Sequence, residues 1–142
     1  MYLDTGILVK LFVREPDSDF FGELTDGEII SSSVLAYTEV RSALLAKERA
    51  AAITIEQRRR AWRIFQGNVD EELIGLIPLA PALFKRANYI LETCHPKVPL
   101  RTLDALHLAC CDQSQDWPLC TTDTRMRAAA ELLRFPLTEM PG

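Results

Sequence analysis

Four acids, Asp4, Glu39, Asp104 and Asp123, stand where an α/β fold can bring their carboxylates together. Asp4 follows the apolar pair Tyr2-Leu3, and Asp123 follows Leu119-Cys120-Thr121. Each therefore sits just past a short apolar strand, at the end where open parallel sheets bind ligands. Glu39 has Leu35, Ala36, Ala43 and Ala46 as its helical neighbours. A Glu among small apolar residues points inward, and Glu is rarely buried without a partner. That partner is either a buried Arg or a shared cation. Asp104 stands in the first turn of a helix with Leu103, Leu106 and Ala109. Alone, it reads as an acid matched to the helix dipole.

Carboxylates brought within a few ångströms cannot all ionise without compensation, so either protons or a cation must resolve the conflict. Oxygen-only donors select hard ions, Mg²⁺ with Mn²⁺ as a substitute, over zinc. A cation that activates water and stabilises a departing oxygen suits phosphodiester hydrolysis. No Ser/His/Asp or Cys/His arrangement supplies a nucleophile instead.

The rest of the chain must position these acids. Its 142 residues predict a single domain, 1–142, of ordinary globular composition, 48% hydrophobic and 25% charged. No apolar run reaches the roughly 18–20 residues of a membrane span. Asp4 and Lys10 interrupt the apolar start, so no signal peptide is read, and a cytoplasmic location is expected. Cys94, Cys110, Cys111 and Cys120 form no CxxC pair and read as buried free thiols. The net charge of −4 argues weakly against nucleic acid; four acids committed to a metal leave 16 acids against 16 bases.

A short strand ends at Asp4. Helices are predicted over Gly6–Val13 and Ser18–Leu24, with a turn at Thr25-Asp26-Gly27. Glu28–Ser32 reads as a buried strand carrying Ile29 and Ile30. Ser33 caps a helix to about residue 50, and Thr54 with Gln57 forms a capping box opening another to about 70. Leu73–Leu79 is a strand, Ala82–Cys94 and Thr102–Ser114 are helices, and Pro118–Thr121 is a strand. A helix at Thr124–Leu133 and a strand at Phe135–Leu137 close the chain. Strands separated by helical crossovers imply a parallel sheet covered on both faces.

Four segments taken in order resemble the PIN-domain ribonucleases, and closely the VapC-type toxins. They are Tyr2-Leu3-Asp4-Thr5; Thr38-Glu39-Val40 with Ala43-Leu44; Arg101 to Ala109; and Thr121-Thr122-Asp123. The resemblance implies a three-layer α/β/α fold with a parallel sheet of about five short strands and a protruding helical pair. It implies a metal-dependent endoribonuclease toxin, with Asp4, Glu39, Asp104 and Asp123 as metal-binding catalytic acids. Thr121 would hold the site by hydrogen bonding, and Thr5 would place a hydroxyl beside Asp4. The implied partners are RNA, a small antitoxin protein and a second copy of the chain, with no membrane. Some relatives carry a further acid after the last one; Thr124, Arg125 and Met126 stand there, which weakens the case for a second metal. The alternative is a catalytically silent PIN-like binding or scaffolding module.

Arg101 and Arg125 read either as phosphate clamps or as salt-bridge partners orienting the acids. His107 reads as a structural or supporting histidine rather than a general base, His95 as surface, and Asp112 and Asp116 as solvated. Arg58, Arg59, Arg60 and Arg63 read as a solvated helix face, with RNA or antitoxin contact as the other use. Trp62 and Phe65, with Leu44 and Leu45, read as core, while the resemblance implies that their helical pair holds an antitoxin segment. A dehalogenase-type phosphatase needs a second Asp two residues after Asp4, where Gly6 stands. A receiver domain needs a mid-chain Asp, and none lies between Asp26 and Asp70.

Overall fold

Tyr2 and Leu3 are neighbours in one strand and bury their side chains in two different cores. Successive residues of a strand face opposite sides, so this strand lies between two helical layers. The computed structural model describes all 142 residues. Its strands are β1 (Tyr2–Leu3), β2 (Ile30–Ser33), β3 (Ile74–Ile77) and β4 (Leu119–Cys120). They form one parallel sheet in the order β3-β2-β1-β4, with Tyr2 opposite both Ser31 and Leu119.

The helices are α1 (Thr5–Phe12), α2 (Ser18–Thr25), α3 (Leu35–Arg49), α4 (Ile55–Asp70), α5 (Pro81–Cys94), α6 (Thr102–Ser114) and α7 (Thr124–Leu133). On one face Tyr2 and Leu119 pack with Leu83, Ile90, Leu108 and Ala129 of α5, α6 and α7. On the other, Leu3, Ile74 and Cys120 pack with Leu8, Val40, Leu44 and Phe65 of α1, α3 and α4. This is the expected α/β/α layering. No helix is long and apolar enough to cross a membrane.

Local chemistry explains most boundaries. The Thr54 hydroxyl accepts the Gln57 N–H at 3.1 Å while Gln57 accepts the Thr54 N–H at 2.8 Å, closing the capping box that starts α4. Pro81 occupies the first turn of α5, where its missing N–H costs nothing. Gly27 takes φ of +74° in the turn before β2, a conformation that favours glycine.

Three expectations are corrected. The sheet has four strands, not five: Phe135–Leu137 lies beside β4 but makes a single bridge, Leu119 to Leu137. Pro136 has no N–H to extend a ladder, though its carbonyl accepts the Leu119 N–H at 2.9 Å. Ile29 is 88% exposed, because β2 begins one residue later and the terminal ammonium bonds the Ile29 carbonyl at 2.8 Å. Ser33 is not the cap of α3. The cap is Val34, and the Ser33 hydroxyl accepts the Leu35 N–H at 3.1 Å from one position further out.

Candidate active site

From β1 the chain passes through α1 and α2 to β2 on one side, then to β3. It returns through α5 and α6 to β4 on the other side of β1. The sheet order therefore reverses between β1 and β4, and the crevice beyond their carboxyl ends is the ligand-binding position of such sheets. Asp4 leaves β1 at this point and Asp123 follows β4. The α3 helix brings Glu39 to the same crevice and α6 brings Asp104. All four acids, with Thr5, Gly6, His107, Thr122 and Met126, line one cavity of about 280 Å³.

Three of the carboxylates are held locally. Asp4 caps α1, its Oδ1 accepting the Ile7 N–H at 2.9 Å. Asp123 caps α7 and accepts the Met126 N–H at 2.9 Å. Asp104 accepts the Arg101 backbone N–H at 3.2 Å. Short acidic side chains suit these positions, where the first helical N–H groups have no intrahelical acceptor.

Thr121, fully buried, ties two of them together. Its hydroxyl donates to Asp4 Oδ2 and accepts the Asp123 N–H at 3.0 Å. The guanidinium of Arg127 braces this strand end, donating to the Thr121 carbonyl and to the Thr138 carbonyl, each at 3.0 Å. Arg127 had no motif to flag it; only the return of the C-terminal segment beside β4 gives it a role.

Glu39 is held from elsewhere in the fold. Its Oε1 accepts the Thr5 hydroxyl at 2.9 Å and lies 2.6 Å from His107 Nε2. Thr5 thus turns its hydroxyl to Glu39 rather than to the neighbouring Asp4. The partner anticipated for Glu39 was an Arg or a cation; within the chain it is His107. That residue is itself buried, with Nδ1 2.7 Å from the Tyr2 hydroxyl. A histidine in the buried run Ala105–Cys111 signals that tertiary partners must satisfy it, but not which ones.

Burial pushes the Asp4 carboxyl above its ordinary range, with nearby Asp123 adding to this, and outweighs the Thr121 and Ile7 hydrogen bonds. Asp104 is raised for the same two reasons, against the Arg101 N–H and the charges of His107 and Arg101. Burial also pushes Glu39 up, but the His107 contact and the Thr5 hydroxyl outweigh it and hold this carboxyl below its usual range.

No three His, Cys, Asp or Glu side chains converge tightly enough, as placed, to hold a metal ion by themselves. The donors nevertheless suit a hard cation. They are oxygens, Asp4 and Asp104 are raised partly by the nearby Asp123, and Glu39 Oε2 carries no hydrogen bond while Oε1 carries both. Mg²⁺ is characteristically held by one or two carboxylates with the remaining positions filled by water and phosphate. The spread of these acids fits that kind of site rather than a closed cage.

Neither Arg101 nor Arg125 forms an ion pair. Arg101 reaches Asp104 through its backbone N–H and is exposed. Asp112 is not simply solvated; it pairs with Arg86 at 2.6 Å. Among the four arginines of α4, Arg58 bonds Glu48 at 2.6 Å and Arg60 lines a separate cavity with Phe12, Ile53 and Ile64. Phe65 is core, while Trp62 is half-buried with the Arg41 guanidinium 3.9 Å above its ring. A groove of about 570 Å³ adjoins the acidic cavity, sharing Thr5, Gly6, Glu39 and Thr122 with it. Lys10 and Lys47 line that groove and both pair with Glu15, at 3.3 and 3.7 Å.

Comparison with known proteins places the chain in a family. The PIN domain family profile matches residues 1–132. The ribonuclease VapC46 of Mycobacterium tuberculosis is 36% identical over 138 residues, covering 94% of this chain and 92% of that protein.

Proposed function

Because the chain belongs to the PIN domain family, we propose that it is a metal-dependent endoribonuclease and the toxin of a toxin–antitoxin pair. One observation carries the chemistry: Asp4, Glu39, Asp104 and Asp123 line a single cavity at the switch point of the sheet. A similar protein carrying the name ribonuclease supports RNA as substrate. The adjoining groove offers an RNA strand a path along Lys10 and Lys47, whose present carboxylate partners phosphates would replace.

In this reading the four acids hold Mg²⁺, with Mn²⁺ as a substitute. Bound there, the ion supplies positive charge for the departing oxygen and lowers the pKa of water. Thr121 fixes the direction of the Asp4 carboxylate, and Thr5 with His107 fixes Glu39. Arg101 and Arg125, free of ion pairs, are available to substrate phosphates. The chain's partners are RNA, a small antitoxin protein and a second copy of itself, and it acts in the cytoplasm. The apolar cavity lined by Phe12, Ile53, Ala61 and Ile64 is the place we assign to the antitoxin segment.

The test is cleavage of single-stranded RNA with Mg²⁺ and with a chelator, by wild type and by Asp4→Asn and Asp104→Asn. Cleavage by wild type with Mg²⁺ alone is expected. Cleavage surviving in both variants contradicts the assignment.

A further inference from the structure

The buried imidazole of His107 has a contact at each nitrogen. Nε2 lies 2.6 Å from Glu39 Oε1 and Nδ1 lies 2.7 Å from the Tyr2 hydroxyl. An ionised carboxylate only accepts hydrogen bonds, so the Nε2 position must carry the hydrogen. At its other nitrogen the ring is fixed by the fully buried Tyr2 hydroxyl, 2.7 Å from Nδ1. The ring is thus held at both ends, by Tyr2 at Nδ1 and by Nε2–H donating to Glu39.

The chain crosses three elements. Tyr2 lies in β1, immediately before the segment that delivers Asp4; His107 lies in α6, three residues after Asp104; Glu39 lies in α3. With the Thr5 hydroxyl, both donors fall on Oε1 and none on Oε2. A Glu side chain has three rotatable bonds, and two donors on one oxygen select a single carboxylate orientation. The free oxygen is then the one left for the acidic cavity, which Glu39 and His107 both line.

We propose that Tyr2 and His107 are positioning residues: the Tyr2–His107–Glu39 hydrogen-bond chain occupies Glu39 Oε1 and so presents Oε2 to a divalent cation. The proposal rests on the reading of the four acids as a cation site. Partners that orient carboxylate and imidazole groups around a metal typically change metal affinity or activity by roughly 10–100-fold when removed. A histidine that merely fills the core would change stability and leave affinity alone.

The experiment is Mn²⁺ binding by titration calorimetry, with thermal melting as a check on folding and RNA cleavage for kcat and KM. Tyr2→Phe keeps the ring that fills the core and removes only the hydroxyl. His107→Ala removes the chain, and His107→Gln restores an N–H toward Glu39 that no longer depends on Tyr2. Expected results are Mn²⁺ affinity about tenfold weaker or worse in Tyr2→Phe and His107→Ala, and recovery in His107→Gln. In the His107→Gln background, Tyr2→Phe should have no further effect on affinity. In cleavage, kcat falls while KM for RNA holds. Long-range ¹H–¹⁵N NMR of the wild type should show a hydrogen on Nε2. If wild type binds Mn²⁺ and folded Tyr2→Phe and His107→Ala bind it equally well, the positioning role is overturned while the acidic site stands. A ring with no hydrogen on Nε2 also overturns it. If wild type binds no Mn²⁺, the site reading itself falls and takes the proposal with it.

Discussion

The hydroxyl of Thr121 donates to the carboxylate of Asp4 across 117 positions of sequence, fastening the end of β4 to the end of β1. The same oxygen accepts the Asp123 N–H, so one threonine sets the relation between two of the four acids.

Replacing that threonine tests the link. Thr121→Val keeps the shape and leaves Oδ2 of the buried Asp4 carboxylate without its donor, which should cost about 1–3 kcal/mol at neutral pH. The loss should shrink in acid, where Asp4 is neutral and cheaper to bury. Thr121→Ser should recover most of it. Urea unfolding at two pH values checks all three outcomes.

Cation binding should stabilise the fold in a pH-dependent way. Asp4 and Asp104 are both raised, first by burial and also by Asp123. The native state then binds protons that the unfolded chain has released, so their contribution is complete in acid and stability falls as pH rises through that window. At neutral pH a cation should offset the loss, by about 2.7 kcal/mol at a free-ion concentration about 100 times Kd. Melting with Mg²⁺ or Mn²⁺ should show a higher Tm near pH 7.5, a smaller gain near pH 5 and reversal by chelator. Equal gains at both pH values would count against carboxylate ligation.

The capping box of α4 lies away from the acids and provides a control. Thr54→Ala should remove about 1 kcal/mol of stability through loss of the Gln57 N–H acceptor, and RNA cleavage should be unchanged. Thermal melting and a cleavage assay check it.

The four cysteines, all buried and free, should be unreactive in the folded protein. Burial pushes the Cys120 thiol up to about 11 and that of Cys111 higher still, so little thiolate exists at neutral pH. A colourimetric thiol reagent should label none in buffer and all four in guanidinium.

The parts of the site that local pattern determines were legible from sequence. Asp4 and Asp123 follow apolar strands, and their side chains cap the helices that start there; strand, cap and helix are all short-range signals. The bounds of α6 and α7, Thr102–Ser114 and Thr124–Leu133, were expected as observed, because turns and prolines punctuate the chain around them. What sequence could not show was pairing at long range. Glu39 was recognised as inward-facing from Leu35, Ala36, Ala43 and Ala46, yet its partner lies 68 positions away in His107. Arg127 and Tyr2 likewise owe their contacts to the order in which strands assemble. The expected strand at Phe135–Leu137 failed because period-two apolar character does not reveal whether N–H groups face a neighbour, and Pro136 offers none.

The most direct measurement is cleavage of single-stranded RNA by Asp104→Asn beside wild type, at matched concentration with Mg²⁺. Asp104, in the first turn of α6, accepts the Arg101 N–H through a side-chain oxygen of a kind that Asn retains, so the variant should fold, as melting will show. Wild type should cut, chelator should stop it, and Asp104→Asn should cut at least about 100-fold more slowly. A folded Asp104→Asn that cuts RNA as fast as wild type would contradict the assignment of the acidic cavity as the active site.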